Sequence, residues 1–382
     1  MSLYQLRIAQ FLGIISRECR IIVAGSCNNP ASSPSSTSTT TDKEESDWAT
    51  SKTSQSPVCA LTSEYQTPQA LSLGNLAWED GIYVSRDGLN LYSTYIPMDA
   101  LSSSLAGALP TQFYLYERGT QIGQDFSDPP AFATLGHPWL HADIAISQRS
   151  STSQDFSAWQ LSGLHGQYYN IGAAQGIQNT SDPTKYDYFF YTNDTPGCTK
   201  IYLTKSVGMN PSTAGSAINI TGDQSAYRQD NPHCENVDGT LVLFFESDDT
   251  RKGGKGAQDI WYTISADQGA TWSTPVNVDT VNTSGYDGQP HLYYDGTTWW
   301  LYCTQTNTDG KLAIFRYGQG TGGDWNSWTN KTLVVSAGTT MGVGEPSLTS
   351  SGDLYFVVIF KKTVDPTSYD LYDADPWVMK KR

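Results

Sequence analysis

The stretch DNPHCENVDGTLVLFFE, residues 230–246, decides the fold. Its first half reads as a polar-rich strand, its middle is a tight Asp238-Gly239 turn, and its second half is almost wholly apolar. That pattern is a β-hairpin with a half-buried first strand and a second strand buried on both faces. QDIWYTIS (258–265) adds a third alternating strand and STPVNVDTVN (273–282) a fourth, so residues 230–282 read as one antiparallel sheet.

The unit recurs. EDGIYVSRDGLNLYSTY (79–95), DGQPHLYYDGTTWWLYC (287–303) and GEPSLTSSGDLYFVVIF (344–360) repeat the hairpin, and HGQYYNIGAAQ (165–175) with KYDYFFYTN (185–193) is a blurred copy. Third strands follow in ADIAISQR (142–149), TKIYLTKS (199–206), GKLAIFRY (310–317) and DPWVMKKR (375–382), and further fourth strands in SAINITGDQ (216–224) and NKTLVVSAG (330–338). Four strands repeated at a spacing of about 57 residues predict an all-β protein, a β-propeller of five four-stranded blades. The fifth copy reaches only its third strand, and TPQALSLGN (67–75) has the pattern to complete it, closing the ring with an N-terminal strand.

Composition agrees and excludes partners. Charged residues are 16% of the chain against 34 glycines, 23 tyrosines and 11 tryptophans, which suits short strands and tight turns. A net charge of −15 disfavours nucleic acid and anionic lipid headgroups. No run of apolar residues is long enough to span a bilayer as a helix.

Residues 1–27 carry Arg7, short apolar stretches and Ala24-Gly25-Ser26-Cys27, which resembles a bacterial lipobox with Cys27 as the lipidated cysteine. Arg17, Glu18 and Arg20 interrupt the apolar part. Residues 28–60 are rich in Ser, Thr and Pro and read as a disordered tether, leaving 61–382 for the propeller. The expected localisation is therefore export to the cell envelope, with membrane contact only through a lipid anchor. Besides Cys19 and Cys27, the chain holds Cys59, Cys198, Cys234 and Cys303, enough for two disulfides whose connectivity the sequence leaves open.

SADQGATW (265–272) fits S-x-D-x-G-x-T-W, the Asp box of sialidases and their relatives. The resemblance implies a turn on the outside of a propeller ring, not chemistry. The arginines and the Arg-Ile-Pro motif of sialidase catalysis have no counterpart at the channel. Pro232, Asp238-Gly239, Asp259-Ile260-Trp261 and the run Trp272–Thr283 resemble the TolB-type, WD40-like repeat of bacterial envelope proteins. That resemblance covers roughly residues 67–382 and implies fold far more than function.

First strands line the channel of a propeller, so the residues that begin them face any axial site. These are Glu79 and Asp80, then His165, Asp230 and His233, Asp287, Gln289 and His291, and Glu345. Three readings stay open. The acidic and amide residues before Pro232, Pro290 and Pro346 can cap the inner turns of their own blades. Glu79, Asp80, Asp230, Asp287 and Glu345 can supply the acid–base pair of glycosidic cleavage, by analogy with five-bladed glycosidases that set three carboxylates at such positions. Asp230, His233, Asp287 and His291 can hold a divalent cation such as calcium. His165, His233, Gln289 and His291 are the candidate ligand contacts, with Trp139 from an insertion at about 97–140 whose Phe113 and Tyr116 can also stack on sugar rings.

RKGGKGAQD (251–259) lacks the spacing of a phosphate loop, and no G-x-S-x-G is present. The expectation is an envelope-anchored propeller binding a small ligand or glycan in its funnel. The alternative is a glycoside hydrolase using the funnel carboxylates, and a further one is a platform for a protein partner.

Overall fold

The computed structural model describes residues 48–75, 77–96, 122, 142–165, 171–194, 198–220, 227–251, 253–365 and 369–382. Residues 1–47, with Cys27, and nearly all of the insertion, with Phe113, Tyr116 and Trp139, lie outside the described residues.

Twenty-one strands are arranged as five blades. Two short N-terminal strands come first, β1 (Val58–Cys59) and β2 (Gln69–Ala70). Blade one is β3 (Trp78–Val84), β4 (Asn90–Ile96), β5 (Asp143–Gln148) and β6 (Gln160–Leu161). Blade two is β7 (Ile171–Gln178), β8 (Lys185–Asp194), β9 (Thr199–Gly208) and β10 (Ser216–Ala217). Blade three is β11 (Asp230–Val237), β12 (Thr240–Ser247), β13 (Asp259–Ser265) and β14 (Val276–Asn277). Blade four is β15 (Asp287–Tyr294), β16 (Trp299–Thr306), β17 (Leu312–Gln319) and β18 (Trp328–Ser336). Blade five has β19 (Gly342–Leu348), β20 (Leu354–Asp365) and β21 (Tyr369–Met379), and its outer strand is β2, with Gln69 opposite Val378 and Ala70 opposite Trp377. The N-terminal closure expected at 67–75 is therefore formed.

Part of the stretch read as a disordered tether is ordered. A helical turn at 48–52 and β1, both inside the stretch read as tether, pack on blades four and five. Trp48 and Tyr65 are fully buried in the same apolar cluster as Phe356, Phe360 and Leu371. Val58 pairs with Ser336, so blade four gains a fifth strand. The Ser/Thr composition concealed one tryptophan, and one large buried ring outweighs many polar neighbours.

Each first strand breaks its ladder at a β-bulge near its start, and β7 breaks it a second time between Ile177 and Gln178. At the bulge near the start Gly81, Ala173, Asn231, Gln289 and Glu345 have φ of 53°, 43°, 45°, 54° and 56°. Four of the five are not glycine, and each left-handed residue costs on the order of 1 kcal/mol. A strain repeated five times is a device of the fold, re-aiming the strand where it meets the axis.

Below the bulges a girdle of side chains links each blade to the next. Tyr83 Oη donates to Gly176 O at 2.6 Å. Gln175 takes both backbone groups of Cys234, at 3.1 and 3.2 Å. His233 meets the backbone of Leu292. His291 Nε2 accepts Leu348 N–H at 3.0 Å, and Ser347 Oγ accepts Val84 N–H at 2.9 Å, which completes the circle.

SADQGATW is a turn between β13 and β14. Asp267 accepts Thr271 N–H at 2.9 Å, Ser265 Oγ accepts Gly269 N–H at 2.8 Å, and Gly269 has φ 82°. Trp272 is 1% exposed and meets Phe190 edge-on, which stitches blade three to blade two. The four described cysteines are free and buried, so the expected disulfides are absent among the described residues. Cys234 and Cys303 sit in different inter-blade cores, where a small apolar thiol packs like a hydrophobe.

Candidate functional site

The bulge sorts the candidate carboxylates. A side chain one residue before it points at the axis. One two residues before it points into its own blade, because strand side chains alternate. Asp80 and Asp230 occupy the first position; Glu79 and Asp287 occupy the second.

Asp287 is accordingly turned away from the channel. It accepts Thr283 N–H at 2.5 Å, Thr283 Oγ1–H at 2.9 Å and a Gln305 amide hydrogen at 2.6 Å. Three donors of its own blade make it a cap. Glu79 is fully buried between blades one and five, where Asp375 and Asp373 lie beside it. Lys52, from the helical turn, contacts both of those aspartates at 2.6 Å. Burial and the two aspartates raise the Glu79 carboxyl well above the usual range.

His165 also misses the channel. It lies in a turn before β7, its Nδ1 3.3 Å from Asp143 Oδ2. In blade two the axial cavity is lined by Ala173, Ala174 and Gln175. Nor do Asp230, His233, Asp287 and His291 meet around one point. The two imidazoles pack at 3.9 Å between ring centres, His233 Nε2 lies 3.0 Å from Glu235 Oε1, and His291 is committed to Leu348. Among the described residues no cluster of three or more His, Cys, Asp or Glu is placed to hold a metal ion. Burial lowers both imidazoles below the ordinary histidine range, His291 the further of the two because His233 and Arg86 add to it.

What does converge is Asp80, Asp230 and Glu345, joined by Glu246, which the sequence reading passed over. The strand register explains Glu246. Opposite the pre-bulge residue, the second strands carry Thr94, Thr192, Glu246, Thr304 and Val357. Threonine stands there in three blades, and blade three alone replaces it with an acid. Glu246 does not stay within its own blade: a Cβ on Gly288 would collide with its Oε2. Its carboxyl thus fills the axial space that blade four's first strand leaves empty. Tyr286 Oη–H and Gln289 N–H both donate to Oε2, at 2.9 and 3.0 Å.

Three of these acids are nearly sealed from water, Asp230, Glu246 and Glu345 being only 5%, 4% and 6% exposed, and Asp80 is partly buried. Burial first, and Asp230 second, raise Glu246 to about 7. Burial and the neighbouring Asp80 and Glu246 raise Glu345 well above the carboxylate range. Burial raises Asp80 as well, while a hydrogen bond from Glu345 opposes the shift. Glu345 is held further by Gln289, whose Oε1 accepts its backbone N–H at 3.0 Å while the amide nitrogen donates to its carboxylate. Arg228 Nη2 lies 3.5 Å from Asp230 Oδ2. So many acids at one place cannot all ionise, and at neutral pH the cluster holds protons on Glu345 and, in part, on Glu246.

A cavity of about 30 Å³ runs along the axis at the bulges, lined by Gln289, His233, His291 and Glu345 among others. It has room for water, not for a sugar ring. At the far end Arg86 of blade one pairs with Glu235 of blade three. The carboxyl end is also where β4 ends and β5 begins.

Fold and site together define a five-bladed β-propeller with a buried carboxyl cluster on its axis. No family model matches the sequence, so the TolB-type kinship rests on the motifs alone. No curated protein matches it. Similar solved structures include a thermostable family-43 glycoside hydrolase, 13% identical, covering 80% of this chain and 92% of that chain with a TM-score of 0.49. The catalytic domain of the Coprinopsis cinerea GH62 alpha-L-arabinofuranosidase is 10% identical, covering 83% and 96% with a TM-score of 0.49. An alpha-L-arabinofuranosidase from Lactobacillus brevis is 12% identical, covering 80% and 92% with a TM-score of 0.47. Likeness of this degree carries no chemistry.

Proposed function

We propose that this chain is a glycoside hydrolase whose acid is Glu246. The observation behind the proposal is the place of that carboxyl. It is a buried acid where three sister blades have threonine, it reaches across to the axis, and it keeps a proton near pH 7. Glycosidic cleavage needs one carboxyl protonated and one ionised on either side of the scissile bond. Glu246 gives its proton to the departing oxygen. Asp80, on the opposite side of the axis and hydrogen-bonded by Glu345, supplies negative charge to the anomeric carbon, as base or as nucleophile. Asp230 keeps the proton on Glu246 by its own charge and is balanced by Arg228. The sugar sits at the carboxyl end, above the small axial cavity. Export and a lipid anchor at Cys27 belong to the same proposal, as the means of bringing the enzyme to an external glycan.

The test is turnover of a panel of aryl pyranosides and furanosides by the wild type, Glu246→Gln and Asp80→Asn. Loss of the acid should slow substrates with poor leaving groups at least 100-fold and dinitrophenyl glycosides much less, because a good leaving group needs no proton. Asp80→Asn should slow both kinds equally. A panel that the wild type leaves intact while binding its sugars would return the chain to the ligand-binding reading.

A further inference from the structure

The end of the ring opposite the carboxyl cluster carries a second feature. Four large hydrophobic side chains are exposed among the described residues, and three of them, Ile264, Val276 and Tyr294, lie at this end where blades three and four diverge. One wall of the wedge is Tyr262, Ile264 and Val276. Tyr262 and Val276 are directly opposed in the β13–β14 pair, and Ile264 is on the same face of β13. The other wall is Tyr294, Trp299 and Trp325, all partly open to solvent. Tyr294 and Trp299 are 5.1 Å apart at 37°, and Trp299 and Trp325 are 5.5 Å apart at 70°. Phe244 underlies the join, 5.5 Å from Tyr262 and 6.2 Å from Trp325. The rings form one chain across the two blades. Single exposed apolar residues need no explanation, but a contiguous patch on a protein this rich in polar surface does.

We infer that this wedge is a second carbohydrate site, binding a neutral polysaccharide chain away from the catalytic mouth; the inference rests on the glycoside hydrolase reading. Sugar rings present C–H faces that lie on aromatic planes and hydroxyls at their edges. The rim supplies the matching polar groups. Asp238, Asp295 and Asp324 stand in the loops that bear or flank these walls. Acidic loops on a chain of net charge −15 repel anionic polymers, which selects neutral glycans among sugars.

The test is affinity electrophoresis of the Glu246→Gln protein, so that binding is read without hydrolysis, in gels containing arabinoxylan, xyloglucan, β-glucan or polygalacturonate. At least one neutral polymer should retard migration, and polygalacturonate should not. Tyr294→Ala with Trp299→Ala should weaken the retardation at least tenfold, while aryl-glycoside turnover in the same double variant of the active chain stays unchanged. The inference falls if no neutral polymer retards the protein, or if the double variant is retarded as strongly as its parent. It falls equally if sedimentation shows a dimer that the double variant abolishes, because the wedge would then be an interface between copies.

Discussion

Glu246→Gln should make the ring more stable at alkaline pH while removing its acid. The carboxyl moves from an ordinary 4.5 in the unfolded chain to about 7 in the folded one. The sign follows from linkage. A group that binds its proton more tightly when folded leaves stability intact below its unfolded value and costs stability as pH rises through its folded value. The shift of roughly 2.5 units at about 1.36 kcal/mol each makes the ionised form cost about 3 kcal/mol above pH 8. Glutamine is neutral throughout, and its side-chain oxygen can still accept Tyr286 Oη–H and Gln289 N–H, so the variant escapes the cost without losing either bond.

At pH 8 the variant should therefore melt about 4 °C above the wild type, given the unfolding entropy of a domain this size. At pH 5 the cost is below about 1 kcal/mol and the two melting curves should nearly coincide. Thermal unfolding followed by circular dichroism at both pH values measures the pair. A variant that melts at or below the wild type at pH 8, or that differs from it equally at both pH values, would refute the reasoning. Glu246 would then be an ordinary ionised group, and no proton would wait there for a leaving group.

Three further outcomes are expected. Lys52→Met takes the shared cation from Asp373 and Asp375, which are buried beside Glu79, and should cost about 3–5 kcal/mol in denaturant unfolding at pH 7, less as pH falls, because burial raises the Glu79 and Asp375 carboxyls. His291→Leu strands the Leu348 N–H inside the girdle and should cost about 1–3 kcal/mol, whereas His291→Gln, which keeps an acceptor, should cost less; equal losses would mean that the hydrogen bond is not the link. Removal of residues 48–75 takes away the outer strand of blade five together with Trp48 and Tyr65, and should lower stability by at least about 4 kcal/mol, which an unchanged melting temperature would contradict.

The blades were legible because alternation and turn residues report directly on a half-buried strand, and five copies reinforce one another. Even the closing strand could be read, since a sheet edge left open at 354–379 demands a partner. The site was legible only in part. Asp230 and Asp287 look equivalent, each opening a first strand shortly before a proline. Asp230 stands two residues before Pro232, and Asp287 three before Pro290. That single residue turns one carboxylate to the axis and the other into its own blade, and only the bulge, whose left-handed residue is a glycine in one blade alone, fixes which is which. His165 was misplaced for a related reason: blade two has no proline at its bulge, so nothing in Gly172-Ala173-Ala174 announced the position.

Glu246 shows what a repeat can reveal beyond its own fold. At any position of a five-fold ring, packing asks the same question five times, and Thr94, Thr192 and Thr304 give one answer. Threonine there is small and β-branched, as a strand beside the axis requires. An acid at the same place incurs a desolvation cost and faces Asp230 as a like charge. Packing cannot explain it, since blade three would fold more easily with threonine. The room for it is not special to that place: Gly288, whose space the carboxyl takes, holds the pre-bulge position that Gly172 and Gly344 hold in their blades. The acid alone departs from the repeat. Stability gains nothing from it, so its presence on the axis is argued best by chemistry at that point.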